Sequence, residues 1–324
     1  MIKIAVIGGA GYTAGELIRI LLRHPNVEHL SVVSQSHAGK PVHSAHHDLV
    51  GETDLVFEKE LAKNVDVAFL CLGHGKSREY LQEYALNGAK IIDLSHDFRL
   101  LEHAKFQDKQ FIYGLPELNG PQIEKAQNIA NPGCFATAIQ LALLPLAHDE
   151  KLDHEVHVHA ITGSTGAGQS LSPTSHFSWR NNNVSVYKAF NHQHLAEINE
   201  SVKSLQPWFE EPINFIPVRG NFTRGILATV YTKVNTGIDE LKKLYHKYYE
   251  NADFTTVSED PVHLKQVVNT NKCMLHLEKH GDYLLVTSVI DNLLKGASGQ
   301  AVENMNLVFG MDQAEGLKLK ASIF

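Results

Sequence analysis

The sequence predicts an α/β protein in which a Rossmann-type, doubly wound parallel sheet is joined to an α+β domain with a mostly antiparallel sheet. Three features support this prediction. Apolar strands alternate with helical segments in the first part of the chain, a glycine-rich loop follows the first strand, and half-exposed strand patterns dominate the second part. A chain of 324 residues is long enough for two domains of ordinary size.

The composition excludes several classes of protein. Charged residues are 20% of the chain, the net charge is −7 and there is no basic block, so we expect neither nucleic acid nor a membrane surface as a partner. Three widely spaced cysteines, Cys71, Cys134 and Cys273, form neither a zinc motif nor a disulfide framework. No signal peptide and no membrane-length apolar run are visible. We therefore expect a cytoplasmic protein with free thiols and no metal.

The first strand, residues 2–7, leads into a glycine-rich loop and a helix predicted from Glu16 to about Arg23. The loop residues are Gly8, Gly9, Ala10, Gly11, Tyr12 and Thr13. Strand, glycine loop and helix in this order are typical of a dinucleotide site, because glycines allow close approach of the backbone and the helix N-terminus receives the pyrophosphate. The glycine spacing is looser than the strict fingerprint, so a purely structural turn is the alternative.

The end of the second predicted strand, residues 29–33, bears on the choice of cofactor. Proteins that select NAD usually carry an acidic residue here, which binds the ribose 2′-hydroxyl. This chain has Ser34 and Ser36 instead, with Lys40 nearby. Since small hydroxyl residues and a lysine suit a 2′-phosphate, the expected cofactor is NADP.

Two further strands, residues 65–72 and 89–94, complete the alternation, and Arg99 follows the second of them. Ligands of doubly wound folds bind at the carboxyl ends of the strands. An arginine there could bind phosphate through two parallel hydrogen bonds. The alternative for Arg99 is an ion pair with Asp97.

A cysteine lies at the predicted start of a long apolar helix. Pro132 and Gly133 mark a turn, and helical spacing of apolar residues follows from Phe135 to Pro145. Cys134 is thus predicted in the first helical turn, where unpaired N–H groups and the helix dipole favour a thiolate. Such a cysteine is a candidate nucleophile, and the same N–H groups could hold an oxyanion. A buried structural cysteine is the alternative.

The order of predicted helices and strands changes after this helix. A half-exposed strand is predicted at residues 155–162, followed by a glycine-rich loop, a polar asparagine loop and a helix over residues 195–205. Further strands are predicted at residues 213–217, 226–234, 262–268 and 283–290. This order indicates an α+β domain with a largely antiparallel sheet.

The motifs, taken together, resemble a known family. The segments Asn131–Thr137 (NPGCFAT) and Lys295–Gln300 (KGASGQ) are the most specific of them. With the glycine loop and a His-x-His segment, they are similar in kind and order to the N-acetyl-γ-glutamyl-phosphate reductase family, relatives of aspartate-semialdehyde dehydrogenase. The resemblance covers essentially the whole chain. It implies NADPH-dependent reduction of an acyl phosphate to a semialdehyde, in arginine biosynthesis, through a cysteine thioester.

The resemblance also implies roles for particular residues. Cys134 occupies the position of the nucleophile, and a histidine is the expected acid–base partner, with His192 favoured over His194. Asn292 corresponds to a contact near the nicotinamide. The residues expected to bind substrate are Arg99, Arg219, Arg224 and Ser164.

The family plan further implies a domain arrangement and an oligomer. Residues 1–133 and 297–324 would form the NADP-binding domain, and residues 134–296 the catalytic and dimerisation domain. A homodimer or homotetramer is expected. One departure is Gln169, where relatives often carry arginine or lysine, so an acetyl and a succinyl group on the substrate both stay open.

Two other functions stay open beside this one. A second acyl-phosphate reductase of the same superfamily would act on aspartyl or aminoadipyl phosphate. A different class would be an NADP-binding sensor that keeps the fold and has lost the chemistry. Cys134, the two histidines and the arginines occur together in this chain, which argues against the sensor.

Overall fold

The polypeptide passes three times between two structural units. The computed structural model describes residues 1–61, 64–86 and 88–324. Unit 1 comprises Met1–Pro132 and Ala297–Lys318, and unit 2 comprises Gly133–Gly296 and Leu319–Phe324. The sequence assigned the last six residues to the first domain, but they group with unit 2. Their physical link is a hydrogen bond from the Ser322 N–H to the Val268 carbonyl (3.1 Å).

The described residues of unit 1 form a seven-stranded sheet with strand order β2-β1-β3-β4-β7-β6-β5. Its elements are β1 (Ile2–Ile7), α1 (Tyr12–Leu21), β2 (Val27–Val33), β3 (Val67–Leu70), α2 (Lys76–Glu83), β4 (Lys90–Asp93), β5 (Lys105–Phe106), β6 (Lys109–Tyr113), α3 (Pro116–Ile123) and β7 (Asn128–Ala130). All neighbouring strands are parallel except β5 and β6. The predicted doubly wound parallel sheet is therefore confirmed.

The strands of unit 1 form because they are almost continuously apolar. β3 is buried at every position and β1 at every position but one. Such runs suit a parallel sheet, because both of its faces are covered. The predicted start of the first helix was wrong by several residues, since α1 begins directly at Tyr12 after the glycine loop.

The described residues of unit 2 form a second seven-stranded sheet, with strand order β12-β13-β14-β11-β8-β10-β9. Its elements are α4 (Cys134–His148), β8 (Val156–Thr162), α5 (Phe177–Arg180), β9 (Ser185–Val186), α6 (His194–Leu205), β10 (Ile213–Arg219), β11 (Ile226–Lys233), α7 (Ile238–Tyr248), β12 (Thr255–Ser258), β13 (Cys273–His280) and β14 (Tyr283–Ile290). Only the β8–β10 and β12–β13 pairs are parallel. The prediction of a mostly antiparallel sheet is confirmed.

A π-helix, Leu294–Ser298, begins in unit 2 and ends in unit 1. It is followed by α8 (Gly299–Val308), which packs against α1, α3 and β4 of unit 1. None of the described helices is long and apolar enough to cross a membrane.

The strand predicted at residues 262–268 was wrong. This segment contains a short 3₁₀ helix, Leu264–Gln266, whose first turn is closed by hydrogen bonds between His263 and Gln266. Val262 and Val267 are buried against Val289 of β14. A short apolar run shows that a segment is buried without showing that it is extended, so the pattern alone could not separate the two.

The central helix of unit 2, α4, contains a proline that removes one helical hydrogen bond. Pro145 has no N–H, so the carbonyl of Leu141 loses its ordinary donor four residues ahead. The Tyr249 hydroxyl donates to this carbonyl at 2.5 Å, and the Tyr245 hydroxyl donates to the Ala142 carbonyl at 2.5 Å. Both tyrosines are buried. The Tyr249 hydroxyl thereby replaces the donor that the Leu141 carbonyl lacks, and a buried carbonyl without a donor would be costly.

Replacing Tyr249 with Phe should therefore destabilise the protein. The buried Leu141 carbonyl would lose its hydroxyl donor, which should lower the free energy of unfolding by about 1–3 kcal/mol. Tyr231→Phe is the matched control, because its side chain is 39% exposed on the sheet. Urea unfolding followed by circular dichroism measures both. Equal stability of Tyr249→Phe and the control would contradict this role.

Candidate active site

Cys134 is the first residue of α4, as predicted, and it is partly exposed. The preceding residue, Gly133, is extended and no side chain caps the helix. The remainder of α4 is almost entirely buried. Cys134 is thus the partly exposed first residue of a buried helix whose N-terminus has no side-chain cap. This position favours the thiolate form of the cysteine.

The backbone approaches Cys134 closely from the π-helix. A Cβ atom at Gly296 would lie 2.8 Å from the Cys134 Cβ, so only glycine fits there. The turn is held by Asp291, whose carbonyl accepts the Gly296 N–H (2.9 Å) and whose carboxylate accepts the Leu293 N–H (2.8 Å). The backbone of the KGASGQ motif at Gly296 therefore packs directly against Cys134. π-Helical turns are frequent at functional sites.

Glu197 joins the start of α4 to the histidine segment. Its Oε2 accepts the Gly133 N–H at 2.9 Å, and its Oε1 lies 3.9 Å from the Nε2 atom of His194. Glu197 and His194 are both buried, with 4% and 7% of their surface exposed. At 3.9 Å this is an ion-pair distance, longer than a hydrogen bond, and it places the charge of a buried carboxylate beside the imidazole.

The two histidines lie together but differ in their hydrogen bonding. Their ring centroids are 4.6 Å apart, and both rings pack edge-on against Phe135, next to the cysteine. The Nδ1 atom of His192 accepts the His194 N–H at 3.2 Å. A neutral His192 therefore carries its proton on Nε2, where it can donate a hydrogen bond. Burial first, and then repulsion from Lys188, lowers the pKa of His192 to about 4.

Tyr187 brings an arginine to this cluster. The guanidinium of Arg219, at the end of β10, lies over the Tyr187 ring at 4.6 Å, and that ring is 5.9 Å from the ring of His192. Burial raises the pKa of Tyr187, Arg219 opposes this rise, and the charge of Cys134 adds to it. Arg219 is therefore the predicted arginine that unit 2 places beside the cysteine and histidines.

Arg224 and Asn292 instead hold loops in place. Arg224 forms an ion pair with the fully buried Asp291 (3.0 Å). The Asn292 amide accepts the Gly225 N–H (2.7 Å) and donates to the Thr165 hydroxyl (3.0 Å). Ser164 lies in the same loop, where its N–H donates to the Phe222 carbonyl (2.8 Å). The substrate contacts of Arg224 and Ser164, and the nicotinamide contact of Asn292, stay predictions.

Arg99 lies in unit 1 and contacts the backbone there. It is 7% exposed, its Nε donates to the Asn131 carbonyl (2.8 Å) and its Nη2 donates to the Leu94 carbonyl (3.0 Å). The Asp97 carboxylate accepts the N–H groups of Gly75 and Arg78. Arg99 thus fixes the strand ends that precede the NPGCFAT motif, and its phosphate contact stays a prediction.

The glycine loop of unit 1 has the geometry of a nucleotide loop. Gly8 has φ +81°, and a Cβ there would meet the Cys71 carbonyl oxygen at 2.7 Å. No side chain caps α1, and a Cβ on Gly11 would meet only the Gly8 carbonyl oxygen, at 3.9 Å. His46 holds the loop in place by donating a hydrogen bond to the Gly9 carbonyl (2.7 Å). The open, uncapped helix start therefore suits a pyrophosphate.

A cavity of 430 Å³ lies beside this loop, at the carboxyl ends of β1 and β2. Ser34 and Ser36 line it together with Lys59 and Lys76, and their contact with a 2′-phosphate stays a prediction. Lys76 is paired with Glu79 (2.7 Å), which leaves Lys59 as the better-placed cation of the two. The rings of Tyr80 and Tyr84, stacked at 4.7 Å, form another part of the wall. The residues present fit NADP.

Three residues of the site were not predicted from the sequence: Glu197, Tyr187 and His46. Glu197 follows His194 by three positions on α6, so helical spacing could have indicated it. Tyr187 and His46 contact their partners only through the tertiary fold, and no local pattern marks them. Among the described residues, no group of His, Cys, Asp and Glu could hold a metal ion.

Comparison with known proteins agrees with this architecture. The semialdehyde dehydrogenase NAD-binding domain matches residues 3–126, and the semialdehyde dehydrogenase dimerisation domain matches residues 134–292. Proteins named N-acetyl-gamma-glutamyl-phosphate reductase from Christiangramia forsetii and Flavobacterium johnsoniae are each 57% identical over 100% of both chains. This chain belongs to the N-acetyl-gamma-glutamyl-phosphate reductase family. Another family member, from Bacteroides thetaiotaomicron, is 54% identical over the same full length.

Solved structures of more distant proteins share the fold of this reductase family. Aspartate semialdehyde dehydrogenase II from Vibrio cholerae aligns with a TM-score of 0.73 at 17% identity, covering 96% of this chain and 99% of the other. The aspartate semialdehyde dehydrogenase from Francisella tularensis aligns with a TM-score of 0.71 at 14% identity, covering 95% and 100%. At this identity the likeness shows the fold alone.

The lowered pKa of His192 predicts a pH-dependent stability. Between about pH 4 and the ordinary value of 6.5, the unfolded imidazole binds a proton that the folded one does not. Stability should therefore rise with pH across this window. His192→Gln should reduce this increase in the free energy of unfolding with pH. His280→Gln, which changes an exposed side chain, should leave the increase unchanged. Urea unfolding at pH values from 4 to 7 measures this, and identical slopes for both variants would refute it.

Proposed function

We propose that this protein reduces an N-acyl-γ-glutamyl phosphate to the corresponding semialdehyde with NADPH, releasing phosphate, and that N-acetyl is the acyl group. The observation that carries the proposal is Cys134 at the uncapped start of α4, with the His194–Glu197 pair beside it. Full-length identity to reductases of that name supports the same substrate. Arginine biosynthesis is the corresponding process.

The first step uses the sulfur of Cys134. Its thiolate attacks the acyl carbonyl carbon, the carbon–sulfur bond forms, and the carbon–oxygen bond to phosphate breaks to leave a thioester. N–H groups at the start of α4 would hold the oxyanion that forms on the way. A thioester is the useful intermediate because it accepts a hydride more readily than a carboxylic ester does.

The two histidines have different proposed roles in proton transfer and hydrogen bonding. The sequence favoured His192 as the acid–base residue, but its Nδ1 is occupied by the His194 N–H. His194 is the better candidate, because its Nε2 lies 3.9 Å from the buried Glu197 carboxylate, which also holds the Gly133 N–H at the start of α4. We assign His194 to accept the Cys134 proton and to return it when the carbon–sulfur bond breaks. Neutral His192 would donate a hydrogen bond to the reacting oxygen.

The cofactor and the anionic groups of the substrate have separate sites. NADPH would supply the hydride that reduces the thioester. The Gly8–Thr13 loop would hold its pyrophosphate, and Ser34, Ser36 and Lys59 its 2′-phosphate. Arg219 is the strongest candidate for binding a substrate anion, since its guanidinium lies over the Tyr187 ring and its charge acts on His192. Arg99, Arg224, Ser164 and Asn292 keep the roles that the resemblance implies.

A cytoplasmic homodimer or homotetramer is part of this proposal. Residues 134–292 match a dimerisation domain, which supports self-association through unit 2. The NADP-binding sensor is less consistent with the site, because Cys134, His194 and Glu197 form a connected arrangement for which a sensor has no use.

The reverse reaction tests the proposal. Phosphate-dependent reduction of NADP⁺ should proceed with N-acetylglutamate semialdehyde, and Cys134→Ser should lower kcat by more than about a thousandfold without changing the NADP⁺ dissociation constant. Cys273→Ser, in the sheet core, is the control. N-succinylglutamate and aspartate semialdehydes are assayed in parallel. Exclusive use of aspartate semialdehyde would contradict the substrate, and NADP⁺ binding without turnover of any aldehyde would favour the sensor.

A further inference from the structure

The NPGCFAT motif begins with a buried asparagine that has no role in the proposed chemistry. Asn131 is 1% exposed. Its N–H donates to the Asp93 carbonyl (2.8 Å), and its own carbonyl accepts the Nε–H of Arg99 (2.8 Å). Its side-chain amide donates to the Ala297 carbonyl (3.0 Å) and accepts from the amide of Asn304 (3.0 Å). The backbone and the side chain of this residue are therefore both fixed, by four different segments of the chain.

Asn304, on α8, sets the orientation of the Asn131 side chain. It is fully buried, and its Nδ2 donates to the Gly114 carbonyl (2.9 Å) as well as to the Oδ1 atom of Asn131. A Cβ atom at Gly114 would lie 2.6 Å from this Nδ2, so the glycine leaves room for the amide. Since backbone carbonyls only accept hydrogen bonds, Gly114 at one end and Ala297 at the other fix the direction of both amides.

The hydrogen bond from Asn131 to Ala297 closes a small ring of residues that includes Cys134. Ala297 follows Gly296, where a Cβ atom would lie 2.8 Å from the Cys134 Cβ and 3.2 Å from its Cα. Three peptide bonds lead from Cys134 back to Asn131, and Pro132 stiffens this stretch by fixing its own φ angle. In a ring this short, the position of the Gly296 backbone depends on the Asn131 amide.

The packing of Gly296 restricts where the sulfur of Cys134 can lie. A backbone in contact with the Cβ of a side chain limits the rotamers that the side chain can adopt. The sulfur must stay near the first N–H groups of α4, which favour the thiolate, and within reach of the acyl carbon. Displacing a reacting group by about 1 Å can lower a rate about a hundredfold.

We propose that Asn131 is a positioning residue for Cys134, and that Asn304 acts through it. Asn131 holds the backbone of Gly296 and Ala297 against the cysteine and so keeps the sulfur at the start of α4. Neither asparagine would touch the substrate or the cofactor. The effect on turnover rests on the proposed function, whereas the effect on the reactivity of the thiol does not.

The kinetic test removes the amides one at a time. Asn131→Leu keeps a branched side chain and should lower kcat of the reverse reaction about tenfold, with KM for the semialdehyde and the NADP⁺ dissociation constant changed less than about twofold. Asn304→Leu should lower kcat about threefold, and the double variant should match Asn131→Leu, because Asn304 acts only through Asn131. Asn304→Leu also replaces Asn131→Leu if the latter does not fold.

Asn306→Leu is the matched control. Asn306 is also fully buried on α8, but its amide contacts lie outside the ring. They are made with the imidazole of His24 (3.0 Å) and the carbonyls of Gln313 (3.1 Å) and Glu315 (2.9 Å). This variant should lower the free energy of unfolding and leave kcat unchanged. Equal kcat values for Asn131→Leu and Asn306→Leu would overturn the positioning role.

Alkylation of Cys134 by iodoacetamide needs no substrate, so it separates this proposal from the proposed function. In Asn131→Leu the midpoint of the rate against pH should move upward by about 0.5, because a displaced sulfur interacts less with the N–H groups that favour the thiolate. Mass spectrometry assigns the modification to the Cys134 peptide. An unchanged midpoint would overturn the proposal. If the parental protein reduces no acyl-glutamyl substrate, the proposed function fails, and the alkylation profile still decides the role of Asn131.

Discussion

The turn before α4 depends on one distant carboxylate, whereas the first N–H groups of the helix itself have no side-chain cap. Glu197 accepts the Gly133 N–H and so fixes the turn that carries Cys134. The same carboxylate lies beside His194 on α6, which makes the position of the histidine depend on the start of α4. The N–H groups that follow Gly133 face the acyl carbonyl in the proposed reaction. One buried acid therefore links the residues proposed as nucleophile and proton carrier with the proposed oxyanion site.

The arginines show how position rather than residue type decides a role. Arg99 donates to two backbone carbonyls in unit 1, and Arg224 is paired with a fully buried aspartate. Arg219 is different, because an aromatic ring and a backbone contact support it and its guanidinium lies near His192. A cation that is held but not neutralised is suited to an anionic substrate.

Elements with a strong local signal were predictable from the sequence, and contacts made by tertiary structure were not. The strand Tyr283–Ile290 was predicted to the residue, and Cys134 was predicted in the first turn of its helix, because turn residues bound clear apolar patterns. β13 was missed, since Glu278, Lys279 and His280 obscure its alternation. Tyr187 could not be found this way, because the pairing of β9 with β10 brings it to Arg219.

A thioester on Cys134 distinguishes this mechanism from its alternatives, and mass spectrometry of the enzyme with acyl phosphate but without NADPH detects it. We predict an N-acetylglutamyl adduct on the peptide that contains Cys134, and its loss when NADPH is added. Cys71, whose pKa burial raises to about 12, and buried Cys273 should carry none. A protein that turns over substrate without any adduct on Cys134, or with an adduct on another cysteine, would contradict the account.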